Sequence, residues 1–400
     1  MTAAARSDRT PWGLVVLLGS LTAMGPLAID MYLPSVPAIG ADLRASASAT
    51  QSTVSAFLAG MAVGQFLYGP ASDRFGRRAP ILIGAVIFII ASAACAMATS
   101  VEALIASRFI QACGACAGQV VSRAIVRDRF DHTETARMLS LLMLIMGLAP
   151  ILAPLGGGLL LTFGGWRTIF WFITAFGVLV SLAAFFRLQE SRSEETAAHA
   201  RSENPLKAYA ALLKQRRLVG YGLAGALNGA TLFTYIAASP ELLIETYRIP
   251  PAAFGIVFGL NSIAIIGANQ LNRLLLRRRT PDQVLATSSL VAVGAAVLLA
   301  IASFSGLGGM WSVLPLLFLV LGSYGFMGGN TMAGALSVDP RRAGSISALL
   351  GGVSFGAGAV ASWAAGVLHD GTPRPMAAVM LICLAGSAAA LRFLALPKRA

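Results

Sequence analysis

Twelve stretches of this sequence run for about twenty residues each with almost no charge. They lie near 12–34, 49–70, 79–99, 103–124, 137–161 and 166–187, then near 218–240, 251–272, 282–303, 311–332, 343–366 and 375–395. A helix of about twenty apolar residues crosses the hydrocarbon core of a bilayer, and it meets its own backbone hydrogen bonds, as lipid requires. Only 12% of the residues are charged, against about 25% in a soluble domain, so one water-soluble core is excluded. The expectation is an all-α integral membrane protein of twelve transmembrane helices in two six-helix bundles. Residues 1–187 form the first bundle, 188–217 a cytoplasmic linker and 218–400 the second bundle.

The basic residues orient the chain. With the N-terminus in the cytoplasm, the outer loops hold only Arg44, Arg167, Arg248 and Arg374, and Arg108 alone lies within a span. Every other Lys and Arg falls on the inner side, as the positive-inside bias demands. This predicts a multi-pass protein of the cytoplasmic (inner) membrane with both termini in the cytoplasm. The net charge of +13 is then the imprint of insertion. No basic patch interleaved with aromatics points to nucleic acid. The first apolar run is too long for the core of a signal peptide and reads as a retained span.

Cys95, Cys113, Cys116 and Cys383 fall within apolar spans and read as small buried residues. His132, His199 and His369 fall in loops. No metal site and no cofactor are expected. Neither an H-E-x-x-H nor a G-x-S-x-G pattern is present, so an enzyme is not expected.

An ionisable side chain at membrane depth costs roughly 2.5–3.5 kcal/mol even on the lenient insertion scale, and marks function. Two stand out: Asp30 in the first span and Arg108 in the fourth. A carboxyl group in a low-dielectric cavity can be neutral in one conformation and charged in another, as proton coupling requires, so Asp30 is the candidate proton carrier. Arg108 stays charged and is a candidate for binding a polar group or tuning that acid. Neutral polar groups at membrane depth, Tyr32, Gln111, Asn228, Tyr235, Asn261 and Asn330, are candidates for a substrate cavity lined by spans 1, 4, 5, 7, 8, 10 and 11.

After the second span the chain reads Gly69-Pro-Ala-Ser-Asp73-Arg74-Phe-Gly76-Arg77-Arg78. Its glycines allow a tight turn, and Asp73 is placed to meet the positive N-terminal end of span 11, a latch between the bundles. A weaker copy, Asn272-Arg273 with Arg277, follows span 8 about half a chain later, as expected of an internal repeat. Span 5 carries Gly147, Pro150, Pro154 and Gly157. Its prolines bend the helix and its small residues invite close packing, here expected against the glycine-rich span 11.

Together these residues resemble the major facilitator superfamily, in particular its twelve-span drug:proton antiporters. Gly69 to Arg78 resembles the loop signature between spans 2 and 3. Arg108, Gln111 and Gly114 resemble the span 4 signature, whose arginine is implicated in proton coupling. Gly147 to Gly157 resembles the antiporter signature of span 5, with Ala149 and Ala153 where glycines are common. More narrowly, Ile29-Asp30-Met-Tyr32-Leu-Pro34, Phe233-Thr-Tyr235-Ile-Ala-Ala-Ser-Pro240, Phe258-Gly-Leu-Asn261 and Gly344 to Gly351 resemble the Bcr/CflA branch of bicyclomycin, chloramphenicol and sulfonamide exporters. Some relatives carry a second acid two turns before Asp30, where this chain has Thr22. A single acid favours neutral or zwitterionic cargo. The resemblance implies proton-coupled efflux of small amphipathic drugs, phenicol- or bicyclomycin-like, by a monomer working through alternating access. The alternative on the same fold is an exporter or importer of a sugar, amino acid or purine.

Overall fold

The computed structural model describes residues 12–194, 196–198 and 205–396; His199 and both chain ends lie outside them. Helices account for nearly all of it, and no strand occurs among the described residues. We label the long helices α1 (Trp12–Asp30), α2 (Ala47–Phe75), α3 (Arg78–Ala96), α4 (Val101–Arg129), α5 (His132–Gly164) and α6 (Trp166–Arg187). The second set is α7 (Arg216–Pro240), α8 (Pro251–Leu275), α9 (Pro281–Ser305), α10 (Met310–Val338), α11 (Ala343–Val367) and α12 (Arg374–Ala390). All but α7 are apolar throughout a membrane-spanning length. Glycines, Asn228, two threonines and Tyr235 dilute α7, and its polar positions are mostly buried by neighbouring helices.

Local chemistry fixes the helix ends. Ser46, Ser100 and Asp131 each accept a hydrogen bond from the backbone N–H three residues on and so cap α2, α4 and α5. Thr280 and Gln283 form a reciprocal capping box at α9. The first span is shorter than expected. Pro34 and Pro37 end continuous α-helix at Asp30, and a 3-10 turn, Leu33–Ser35, leads into a short helix, Val36–Asp42.

Within α1–α6, α4 packs on α1, α2 and α3, α3 on α6, and α5 on α1. Within α7–α12, α7 packs on α10, α11 and α12, α10 on α8 and α9, and α9 on α12. Between the two sets the principal contacts pair α2 with α11 and α5 with α8. The expected α5–α11 contact is therefore replaced by two crossed ones: the small residues of α5 meet α8, and those of α11 meet α2.

The two contacts differ along their length. The α2–α11 seam runs the whole depth, from Gln51 beside Gly366 to Gly69 beside Ala348. The α5–α8 seam is tight only away from the arginine-rich face, where Gly255 abuts Leu155 and Gly158 abuts Pro251. Nearer the basic face, Gly147 of α5 and Gly267 of α8 have open space around them. At the far end the turn Leu33–Ser35 wedges against α7 and α8, and the helix Val36–Asp42 touches the segment Glu241–Thr246. Gly157 lets α5 approach this wedge: any Cβ there would collide with the carbonyl oxygen of Met31.

Candidate transport cavity

The two helix sets enclose a cavity of about 460 Å³ that is closed at the far face and reaches toward the basic one. Its wall comes from α1, α2, α4, α5, α7, α8, α10 and α11. The lining by α2, through Phe57, Met61 and Gln65, was not anticipated. Most of the wall is aliphatic or aromatic. Phe233 and Phe355 face each other at 5.3 Å between ring centroids, and Tyr235 stacks on Phe258 at 5.4 Å.

Asp30 is the only acid in that wall. It is the last residue of α1, is 3% exposed, and its carboxylate has no hydrogen-bond or ion-pair partner among the described residues. A lone carboxylate facing an apolar chamber is poorly solvated as an anion, which makes it able to accept a proton or a ligand's donor group.

Of the polar candidates, Tyr235 and Asn261 line the cavity together, with Asn261 Nδ2 donating to Tyr235 Oη at 2.7 Å. The others lie elsewhere. Tyr32 is buried against α2, its hydroxyl 2.8 Å from Thr53 Oγ1. Gln111 donates to Ser92 Oγ of α3 at 2.8 Å. Asn228 donates to Ser323 Oγ at 3.2 Å, and Asn330 donates to Asn272 Oδ1 at 2.9 Å. These four bond helix to helix inside a bundle, where a polar group in a lipid-solvated protein finds its partner. Pro150 and Gly147 line the cavity from α5, while Pro154 and Gly157 lie outside it.

Arg108 is fully buried between α1 and α4, outside the cavity wall. Its Nη1 donates to Ala28 O at 2.8 Å and to Gln111 Oε1 at 2.7 Å. The remaining guanidinium nitrogens have no hydrogen-bond partner. They sit against the rings of Tyr32 and Phe57, each 4.3 Å from the guanidinium carbon, with Phe170 at 5.8 Å. A desolvated cation–π contact is worth about 2 kcal/mol or more. The positive charge is thus held by ring faces and a carbonyl two residues before Asp30.

On the basic face, Arg77 is the hub. It is 3% exposed. Its Nε donates to Asp128 Oδ2 at 2.7 Å, its Nη2 to Asp128 Oδ1 at 3.3 Å, and its Nη1 to Ser72 Oγ at 3.0 Å and to Asp73. Gly76 turns the chain with φ +95°, which presents the amides of Arg77 and Arg78 to the Glu190 carboxylate at 2.9 and 3.2 Å. Arg78 donates to Phe185 O at 2.7 Å. Arg192 returns to Arg74 O at 2.6 Å. Asp73 is therefore bonded within its own loop, not to the first amides of α11. The α2–α11 approach here is apolar instead, with Phe66 over Gly352. The start of the linker is strapped across the turn, a role for Glu190 and Asp128 that the sequence reading missed. It also missed Gln119 and Arg123, which line the cavity one turn apart on α4; their i, i+4 spacing in an apolar helix was the available signal.

Residues 18–362 match the Major Facilitator Superfamily. The chain is 37% identical over 375 residues to the uncharacterized MFS-type transporter YdgK of Bacillus subtilis (strain 168), covering 92% of each. It is 31% identical over 393 residues to the bicyclomycin resistance protein homolog of Haemophilus influenzae, covering 95% of each. A crystal structure of a D-xylose-proton symporter superposes with a TM-score of 0.75 at 14% identity, over 97% of this chain and 98% of that one. That likeness shows the shared fold.

Proposed function

Because this chain belongs to the major facilitator superfamily, a family of membrane transporters, we propose that it exports small amphipathic drugs in exchange for protons. The cargo is phenicol- or bicyclomycin-like, and the route is alternating access. The similarity to a bicyclomycin resistance protein homolog supports the cargo class, and the aromatic cavity suits flat, weakly polar molecules. The arginine-rich face lies in the cytoplasm, by the positive-inside bias, so the cavity faces inward. One chain encloses the whole cavity, so a monomer suffices.

The observation that carries the reading is Asp30: a lone carboxylate, unpartnered among the described residues, in the wall of the cavity between the two helix sets. Ionised, it accepts hydroxyl or amide donors of the drug as charge-assisted hydrogen bonds. After the bundles rock and the far end opens, a proton from outside neutralises it and those bonds weaken, so the drug leaves. Return to the inward state lets the proton go to the cytoplasm. Each proton moving inward contributes about 2.3 kcal/mol per 100 mV of potential. Arg108, tied to Ala28 O, holds the end of α1 in register two residues before the carrier acid.

The test uses proteoliposomes with an imposed proton gradient and radiolabelled chloramphenicol. Asp30→Asn abolishes gradient-driven accumulation while leaving a folded protein that reconstitutes at the wild-type yield. Undiminished gradient-driven accumulation by the variant refutes the coupling role. A sugar, amino acid or purine carried in preference to any drug replaces the cargo class.

A further inference from the structure

The cavity wall holds one base as well as one acid, and the transport cycle above leaves the base unused. Arg123 of α4 lines the cavity toward the basic face. A guanidinium offers five donors, yet the only hydrogen bond described for this one is a long contact from Nη2 to Met146 Sδ at 3.9 Å. No carboxylate pairs with it among the described residues; the charged group nearest enough to act on it is another cation, Arg127. Arg77, by contrast, a few turns away, has its donors taken up by two aspartates and a serine. A half-buried guanidinium with unspent donors and a like charge behind it is a site prepared for something negative.

Two other donors converge there. Gln119 stands one turn before Arg123 on the same face of α4 and also lines the cavity, and its side-chain amide, whose Nε2 can donate, makes no described hydrogen bond. Tyr324 of α10 lines the cavity from the opposite bundle, within electrostatic reach of Arg123, and its hydroxyl makes no described hydrogen bond. Asp30 does not neutralise this cluster. Helices α1 and α4 run antiparallel with Gly118 level with Leu21, so at 1.5 Å per residue the two charges are offset by about 20 Å along the bundle.

We propose that Arg123, Gln119 and Tyr324 form an anion subsite that selects amphipathic cargo bearing a carboxylate or sulfonate, its apolar body lying toward the phenylalanines above. The subsite joins α4 of one bundle to α10 of the other on the basic side of the cavity, so the spacing of its donors changes as the bundles rock and that side closes. Exporting a monoanion against one incoming proton also moves two elementary charges per turnover, where a neutral drug moves one. The proposal rests on the drug-export reading of the same cavity and extends its cargo from neutral drugs to anionic ones.

Binding of dansylglycine and of its neutral isostere dansylglycinamide to the purified full-length protein, read by dansyl anisotropy, tests it. The wild type binds the carboxylate at least about tenfold tighter, the scale of one hydrogen bond to a charged group. Arg123→Gln brings the ratio to about one and leaves amide affinity within about threefold, which also shows that the variant is folded. Arg123→Lys keeps part of the preference, and Tyr324→Phe narrows it. Equal binding of the two probes by the wild type, or an unchanged ratio in Arg123→Gln, overturns the subsite. Chloramphenicol export in the proteoliposome assay separates the two ideas: export with a flat ratio removes only the anion subsite, whereas no export and no probe binding removes both.

Discussion

Gly255 offers a way to change which side of the molecule is open without touching cargo or proton. A methyl group added there would lie 2.8 Å from both the backbone nitrogen and Cδ2 of Leu155 and 3.0 Å from its Cα. The side-chain atom can rotate away, but the backbone of α5 cannot. Overpacking of this kind costs about 1–3 kcal/mol. The cost falls only on the state in which α5 and α8 touch at the far face; once they part there, the methyl is free. Gly255→Ala therefore shifts the population toward the outward-open state by about 2 kcal/mol, or roughly 30-fold. Gly267→Ala is the matched control, since α8 has nothing within 4 Å of that position and any gain in helix propensity is common to both states. Electron–electron spin distances between labels at Phe163 and Arg248, both exposed near the far face, read the separation directly in a background lacking the native cysteines. A distance distribution for Gly255→Ala that matches the wild type, or an equal shift in Gly267→Ala, refutes the argument that this contact is broken in the cycle.

Two further predictions concern the basic face. A double-mutant cycle of Arg77→Gln and Asp128→Asn, followed by unfolding in mixed micelles with dodecyl sulfate, gives a coupling of about 2–3 kcal/mol, because the pair is bidentate and Arg77 is almost wholly buried. A coupling below about 0.5 kcal/mol, the scale of an exposed pair, contradicts the hub assignment. At Glu190, burial alone would raise the carboxyl's pKa, but the amides of Arg77, Arg192, Arg78 and Ser191 outweigh it and hold the group below the ordinary glutamate range. A depressed folded-state pKa means that the strap is stabilised at neutral pH and loses that stabilisation as pH falls through and below the glutamate range. The group is largely exposed, so screening limits the effect to about 1 kcal/mol. Hydrogen exchange of residues 188–194 accelerates on acidification, beyond the intrinsic pH effect, in the wild type and not in Glu190→Gln; the same dependence in both removes Glu190 as its source.

The spans were legible because lipid leaves a helix little freedom: length and apolarity set its existence, although several ends missed by four to six residues where the helix runs on past its apolar stretch or stops short at a proline. Facing was not legible. Asn228 and Asn261 read alike in sequence, each an asparagine within an expected span, yet the first is bonded to Ser323 inside a bundle and the second lines the cavity. Which of two such groups meets a neighbour depends on helix rotation, and an apolar face does not mark the inside when both lipid and core are apolar. Arg123 was hidden for a different reason. It entered the sequence reading as one more inner-side cation, and its spacing four residues after Gln119 was the one cue that it enters the chamber. The crossed seams, α2 on α11 and α5 on α8, follow from a bundle arrangement that no local spacing encodes.

The break after α1 has a mechanical consequence. Asp30 ends the helix, Tyr32 stacks on Arg108, and the wedge that plugs the far mouth begins at Leu33. The acid proposed to carry the proton, the ring that holds Arg108 and the plug of the far mouth thus share one short run of chain. On the proposed cycle, a change of charge at the first reaches the last through a single turn of covalent backbone, so the message has almost no distance over which to fade.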